Sequence, residues 1–200
     1  MPEGMGFAEA AAATDGALNA LWCLRLAGPL PGRRVLADGA SGTAAVQVAK
    51  FFGAEVTAVC GAPGVAVVTS LGADRVLDYT KEDFTGDRQR YFPVFDAVGK
   101  QSFAHCRGLL ESGGTYLATD GLRNLLLGLW TARFGDRKVM FKLPPRHTQQ
   151  DVALIKELME AGRSRPVSDR VYPLEEVADA ARYVETQQKI GNVALAVSHD

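Results

Sequence analysis

The sequence predicts an α/β fold, a doubly wound parallel sheet with helices on both faces. Three observations carry this. Short apolar runs alternate with helix-like stretches at steps of roughly ten to twenty residues. The runs are apolar along most of their length, as strands covered on both faces require. The first of them, "RRVLADG" (33–39), ends in a glycine turn that opens a helix.

Each element follows from its own pattern. Residues 7–27 are rich in Ala and Leu and read as a helix, stopped by Gly28, Pro29, Pro31 and Gly32. After the strand at 33–39, a helix over 41–52 sets Ala45, Val48, Ala49 and Phe52 on one face. "AEVTAVC" (54–60) is the next strand, and 65–71 a helix closed by Gly72. "DRVLDY" (74–79), "PVFDAVG" (93–99) and "GTYLAT" (114–119) read as strands, with "SFAHCRGLLE" (102–111) as a helix between the last two. "RKVMFKL" (137–143) is a further strand, followed by the amphipathic helix "TQQDVALIKELMEAG" (148–162). Residues 122–136, "LRNLLLGLWTARFGD", leave four readings open: a core helix, a helix with an exposed apolar side, a lid over the pocket, or a subunit contact. Residues 165–197 read as strand, helix, strand, with Val177, Ala181 and Val184 on one stripe of the helix at 174–188. Right-handed crossovers between parallel strands place a ligand at their carboxyl ends.

Composition narrows the function. The apolar fraction of 47% and charged fraction of 22% suit a folded chain and argue against disorder. The 22 basic and 23 acidic residues nearly cancel, and no basic run marks a face for nucleic acid or anionic lipid. Cys23, Cys60 and Cys106 are odd in number, far apart and form no CxxC pair, which speaks against a disulfide framework or structural zinc and for a reducing, cytoplasmic setting. The amino terminus lacks a signal-peptide layout, and "LLLGLW" (125–130) is too short to span a bilayer.

The glycine turn is the main chemical signal. A diphosphate sits over a helix amino end, where unpaired N–H groups and the helix dipole favour negative charge, and side chains must be absent for the backbone to approach. Gly39 and Gly42 supply the tight turn, Ser41 a hydroxyl, and Ala45 a small residue for close packing. Such a turn also occurs as plain architecture in α/β domains. The second strand ends in Cys60 and Gly61 rather than a carboxylate, which disfavours both NAD and a methyltransferase cofactor and leaves room for the 2′-phosphate of NADP. Arg75 and Lys81 are the nearest downstream cations. His105, His147 and His199 are scattered, Ser41 lacks a G-x-S-x-G setting, and no P-loop is present.

"GASG…AAVQVAKFFGAEVTAVC", "LGADRVLDYTKEDF" (71–84), "FDAVG" (95–99) and "GNVAL" (191–195) together resemble the medium-chain dehydrogenase/reductase superfamily, in its zinc-independent, quinone oxidoreductase-like branch related to zeta-crystallin. The resemblance runs from "FAEAAA" (7–12) to the last strand. It implies a dinucleotide-binding Rossmann domain over 1–162, including the first helix as a linker. Residues 163–200 would be a segment returning to a substrate domain. It also implies an oxidoreductase that uses NADPH to reduce a quinone, an enone or a small carbonyl compound, as a homodimer or with a missing amino-terminal half. Residue by residue, Gly39, Ser41 and Gly42 resemble the phosphate turn. Tyr79 resembles a tyrosine near the adenosine phosphate, with Lys81 beside it. Val98 and Gly99 match the strand end along the ribose and nicotinamide, Thr119 and Gly121 a similar edge, and Asn192 a polar residue on the nicotinamide side. Read structurally instead, Tyr79 is a core edge and Asn192 a turn residue. The resemblance assigns no catalytic residue and no metal ligand here.

Two departures set expectations. Where the family turn reads G-A-S-G-G-V-G, here Gly42 runs directly into "TAAVQ", about three residues short. Losing three helical residues shortens a helix by roughly 4.5 Å and rotates it by about 300°, nearly a full turn, so the apolar face survives while the phosphate end is reshaped. The family's amino-terminal β-rich domain is also unmatched. These departures favour an alternative, a degenerate, non-catalytic module that binds nucleotide weakly or binds a protein partner.

Overall fold

The computed structural model describes residues 2–39, 42–119, 122–141 and 146–197. Helix α1 (Phe7–Ala27) carries its buried residues, among them Ala17, Leu21 and Leu24, on the side turned to the sheet. Its small residues permit close approach to α2 (Gly42–Phe51), where Gly16 faces the Ala44 methyl. Six parallel strands follow in the order β3-β2-β1-β4-β5-β6: β1 (Arg34–Asp38), β2 (Glu55–Cys60), β3 (Arg75–Asp78), β4 (Tyr91–Asp96), β5 (Leu110–Ala118) and β6 (Lys138–Met140). The order reverses between β1 and β4, as in a doubly wound sheet.

Strand side chains alternate between two cores. Val35, Ala37, Ala58, Cys60 and Phe95 face a cluster formed with α1, α2, α3 (Val65–Ser70) and α6 (Gln149–Glu160). Leu36, Val59, Val94 and Tyr116 face a second cluster with α4 (Phe103–Cys106), against which Leu127 of α5 (Leu122–Arg133) is packed. Asp38 and Asp96 continue the second set and are buried at its upper rim, with relative exposures of 5% and 1%.

The helix expected over 102–111 is shorter. Only Phe103–Cys106 is α-helical, capped by Ser102, and Leu110 already belongs to β5, paired with Tyr91. Leu109 and Leu110 are fully buried, so their burial draws the chain into the sheet after a single turn at 107–109. The open question over 122–136 resolves as a helix with an exposed apolar side: Leu126, Leu129, Trp130 and Phe134 are all more than half exposed. Thr131 is buried and accepts a bond from the Val139 N–H, fixing α5 to the edge strand.

The last segment forms a separate two-stranded parallel sheet, β7 (Ser168–Pro173) and β8 (Asn192–Ala196), linked through α7 (Val177–Glu185). The stripe of Val177, Ala181 and Val184 lies exposed, and Ala180 is the buried residue of that helix. Val171, Leu195 and Val197 are exposed as well. A two-stranded sheet with uncovered apolar faces is marginal without further packing. Here α1 supplies some of it: the Asn192 amide donates to the Ala12 carbonyl (2.7 Å). No helix among the described residues is long and apolar enough to cross a membrane.

Candidate functional site

A cleft of about 470 Å³ opens at the carboxyl ends of β1 and β2 and just beyond β3 and β4, at the point where strand order reverses. Its floor is made of Asp38, Gly39, Cys60 and Gly61, its sides of Tyr79, Val98 and Lys100, and its roof of the α7–β8 loop over 187–190. Gln187 in that loop is the only non-glycine among the described residues with a left-handed backbone, φ +58°. Such positions carry strain and persist where the surroundings hold them.

Two glycines keep the cleft open. Gly39 has φ +100°, and a β-carbon there would lie 1.9 Å from Val98 Cγ2. A β-carbon at Gly61 would lie 3.0 Å from the Tyr79 hydroxyl, whose ring, 54% exposed, stands over the end of β2. A side chain at either position would fill the cleft or displace its wall. Bare backbone at the end of β1 and β2, a helix amino end at α2 and a broad aromatic ring suit a nucleotide diphosphate and its base.

The charges are distributed unevenly. Asp38 and Asp96 are register partners across β1 and β4. Asp96 accepts four bonds, from the N–H groups of Val98 (3.3 Å), Gly99 (2.8 Å) and Gln101 (3.0 Å) and from the Tyr116 hydroxyl (2.7 Å). This cage fixes the β4 exit that carries Val98 and Lys100. Burial, with the neighbouring Asp96 charge, pushes the Asp38 carboxyl up to about 6, against the opposing pull of Gln101 and Lys100. Burial likewise raises the Cys60 thiol to about 11, so it is protonated and a poor nucleophile near neutral pH. Lys189 donates to the Gly191 carbonyl (2.8 Å), and burial lowers its pKa against the pull of Asp169 and Asp15.

Of the residues singled out from the sequence, Gly39, Tyr79 and Val98 come together in the cleft. Gly42 opens α2 beneath it, and Gly99 donates its N–H to Asp96. Ser41 and Gly121 lie outside the described residues. The Thr119 hydroxyl donates to the Asp96 carbonyl (3.0 Å), behind the β4 exit. Lys81 pairs with Asp78 (3.3 Å) and lies outside the cleft lining, and Asn192 is turned toward α1. The cleft lysines are instead Lys100 and Lys189. Asp38 had a visible signal, a carboxylate closing the apolar run Val35–Ala37. Lys189 had none, since "QQKIG" reads as ordinary surface until the loop is seen folded over the cleft.

Comparison with known proteins agrees with this architecture. Residues 71–195 match the zinc-binding dehydrogenase family. A mouse mitochondrial NAD(P)H oxidoreductase (RTN4IP1) is 33% identical over 191 residues, covering 83% of this chain and 48% of that protein. The 2-methylene-furan-3-one reductase of Solanum lycopersicum is 30% identical, covering 97% of this chain and 48% of that protein. The quinone oxidoreductase structure from Coxiella burnetii superposes with a TM-score of 0.84 at 22% identity, over 98% of this chain and 62% of that one. At that identity the likeness shows the fold alone. The chain belongs to the medium-chain dehydrogenase/reductase superfamily, and it corresponds to the carboxyl-terminal part of its relatives. It spans about half the length of the curated relatives it matches, 48% of each of the two named.

Proposed function

We propose that this chain is the nucleotide-holding half of an NAD(P)H-dependent oxidoreductase that delivers hydride to a quinone, an enone or a similar small carbonyl acceptor. The observation that carries the reading is the cleft at the β1/β4 reversal, kept clear by Gly39 and Gly61 and walled by Tyr79. The names of relatives, among them a trans-enoyl reductase, a quinone oxidoreductase homolog and an alkenal/one oxidoreductase, support this acceptor class. When bound, the nicotinamide supplies the hydride. The chain's own residues bind and orient: Gly39 and the start of α2 admit the diphosphate, Tyr79 offers a face to the adenosine, and Lys100 and Lys189 balance phosphate charge. Hydride transfer needs little else beyond close placement and exclusion of water.

The phosphorylated cofactor NADPH is the proposed form, because Cys60 and Gly61 put no carboxylate at the end of β2 to repel a 2′-phosphate. Chemistry without zinc is part of the same reading. Residues 1–162 are proposed as the nucleotide domain and 163–200 as the return to a substrate domain, whose partner surface would cover Val171, Val177 and Leu195. The apolar side of α5 beside the edge strand β6 is proposed as a homodimer contact. The three free cysteines suit a reducing compartment, with the cytoplasm proposed. Calorimetric titration with NADPH and NADH tests the central reading. Binding of NADPH, tighter than NADH, is expected, and no heat with either nucleotide would remove it.

A further inference from the structure

Resting on the nucleotide reading above, we propose that Asp38 sets which charge state of the cleft accepts a diphosphate: the neutral acid admits the ligand and the carboxylate turns it away. Asp38 ends β1, immediately before the Gly39 backbone that the diphosphate must approach, and it lines the cleft while only 5% exposed. Its partner in register is Asp96, on the same face of the sheet, and neighbouring strands lie about 4.8 Å apart. Asp96 is committed to four donors and cannot move aside. Two carboxylates confined side by side do not both ionise readily, and a bound diphosphate adds further negative charge to the same corner.

The groups that face Asp38 relieve it only in part. From β4 and the segment after it come Asp96, Lys100 and Gln101, from β5 the Tyr116 hydroxyl, from α4 the Cys106 thiol, and from β2 Cys60 with Asp78 beyond it. Lys189 lines the same cleft from the α7–β8 loop. Of these, Gln101 through a hydrogen bond and Lys100 through its charge favour the carboxylate, and burial and Asp96 outweigh them. Binding a diphosphate therefore favours the protonated acid, which can also donate a hydrogen bond to a phosphate oxygen. Binding takes up protons in the window between the pKa of the free acid and the higher pKa it has beside the ligand, and none well outside that window. A carboxylate in this position gives the cleft tighter nucleotide binding in mildly acidic solution.

The test uses the full chain with ADP-ribose, which carries the adenosine and diphosphate and no group that titrates between pH 5.5 and 8. Affinity of the unmodified protein should fall about tenfold over that range, as for an Asp38 pKa raised by about one unit beside the ligand. Calorimetry in buffers of different ionisation heat should register proton uptake at pH 7. Asp38→Asn should bind tightly at both ends of the range with no proton uptake. Equal pH slopes in the two proteins would overturn the proposal and leave the nucleotide reading in place. If Asp38→Asn does not fold, a pH-independent affinity of the unmodified protein overturns it alone. Failure of both ADP-ribose and NADPH to bind at pH 5.5 would remove the nucleotide reading and this proposal together.

Discussion

Val98 fills the space that a side chain on Gly39 would need. Its Cγ2 lies 1.9 Å from the position of an added β-carbon, so the exits of β1 and β4 touch where the strand order reverses. Gly39→Ala should therefore destabilise the protein by about 2 to 4 kcal/mol, combining a left-handed backbone penalty with overpacking. The double variant Gly39→Ala with Val98→Ala separates the two causes. It should recover the packing share and keep the backbone share. Chemical denaturation of the four proteins measures both, and additive effects would show that the two residues do not touch.

Gly61 should behave differently. Its obstacle is the hydroxyl end of a half-exposed ring, which can swing away. Gly61→Ala is expected to change the melting temperature little while weakening NADPH binding about tenfold, because the moved ring is the proposed base platform. Tyr79→Phe, which keeps the ring, should retain most of the affinity. Unchanged affinity in Gly61→Ala would detach Tyr79 from the site.

Asp38 also predicts a stability profile in the absence of ligand. Its folded pKa of about 6 stands above the ordinary 3.8, so the folded state holds the proton more tightly than the unfolded chain does. Stability contributed by this group is fully present below about pH 4, is lost as pH rises to about 6, and then levels off. Asp38→Asn should be more stable than the unmodified protein at pH 8 by about 1 to 3 kcal/mol, with the difference vanishing near pH 4. Thermal melts across this range give the curve, and a difference that grows toward acid would reverse the assignment.

Asp151 supplies the opposite sign. It caps α6 with Thr148, receiving its N–H (2.8 Å), and pairs with Arg25 of α1. The Thr148 bond first, then Arg25, hold its carboxyl down to about 2. Its contribution is present above about pH 4 and lost as pH falls toward 2. Asp151→Asn should cost about 1 kcal/mol at pH 7 and nothing near pH 2, read from urea midpoints.

The apolar side of α5 offers a test of assembly. Leu129→Glu places a charge among Leu126, Trp130 and Phe134, all exposed. Sedimentation should show a dimer for the unmodified chain and a monomer for the variant. A monomer in both would remove the homodimer proposal and leave the nucleotide site untouched.

The strands and most helices were legible because their apolar residues recur at the spacings that burial demands. Val35 and Ala37 against Leu36, for example, sort cleanly onto the two faces. The short α4 was not, because "SFAHCRGLLE" has helical periodicity and only the pairing of Leu110 with Tyr91 decides where the helix yields. The glycine floor of the site was legible from Gly39. The meeting of Asp38 with Asp96 was not, since it depends on the register of two strands separated by more than fifty residues of chain. Lys189 enters through a loop whose course is set by β8 lying against α1, a long-range contact with no local signature.

That last contact closes the molecule on itself. The amide of Asn192 clasps a turn of the opening helix, so the final strand acts as a buckle on the first element of the fold. Trimming the chain before this residue would free Ala12 and its neighbours to exchange amide protons with solvent. The loosening would travel along α1 to Arg25 and reach α6, far from the cut.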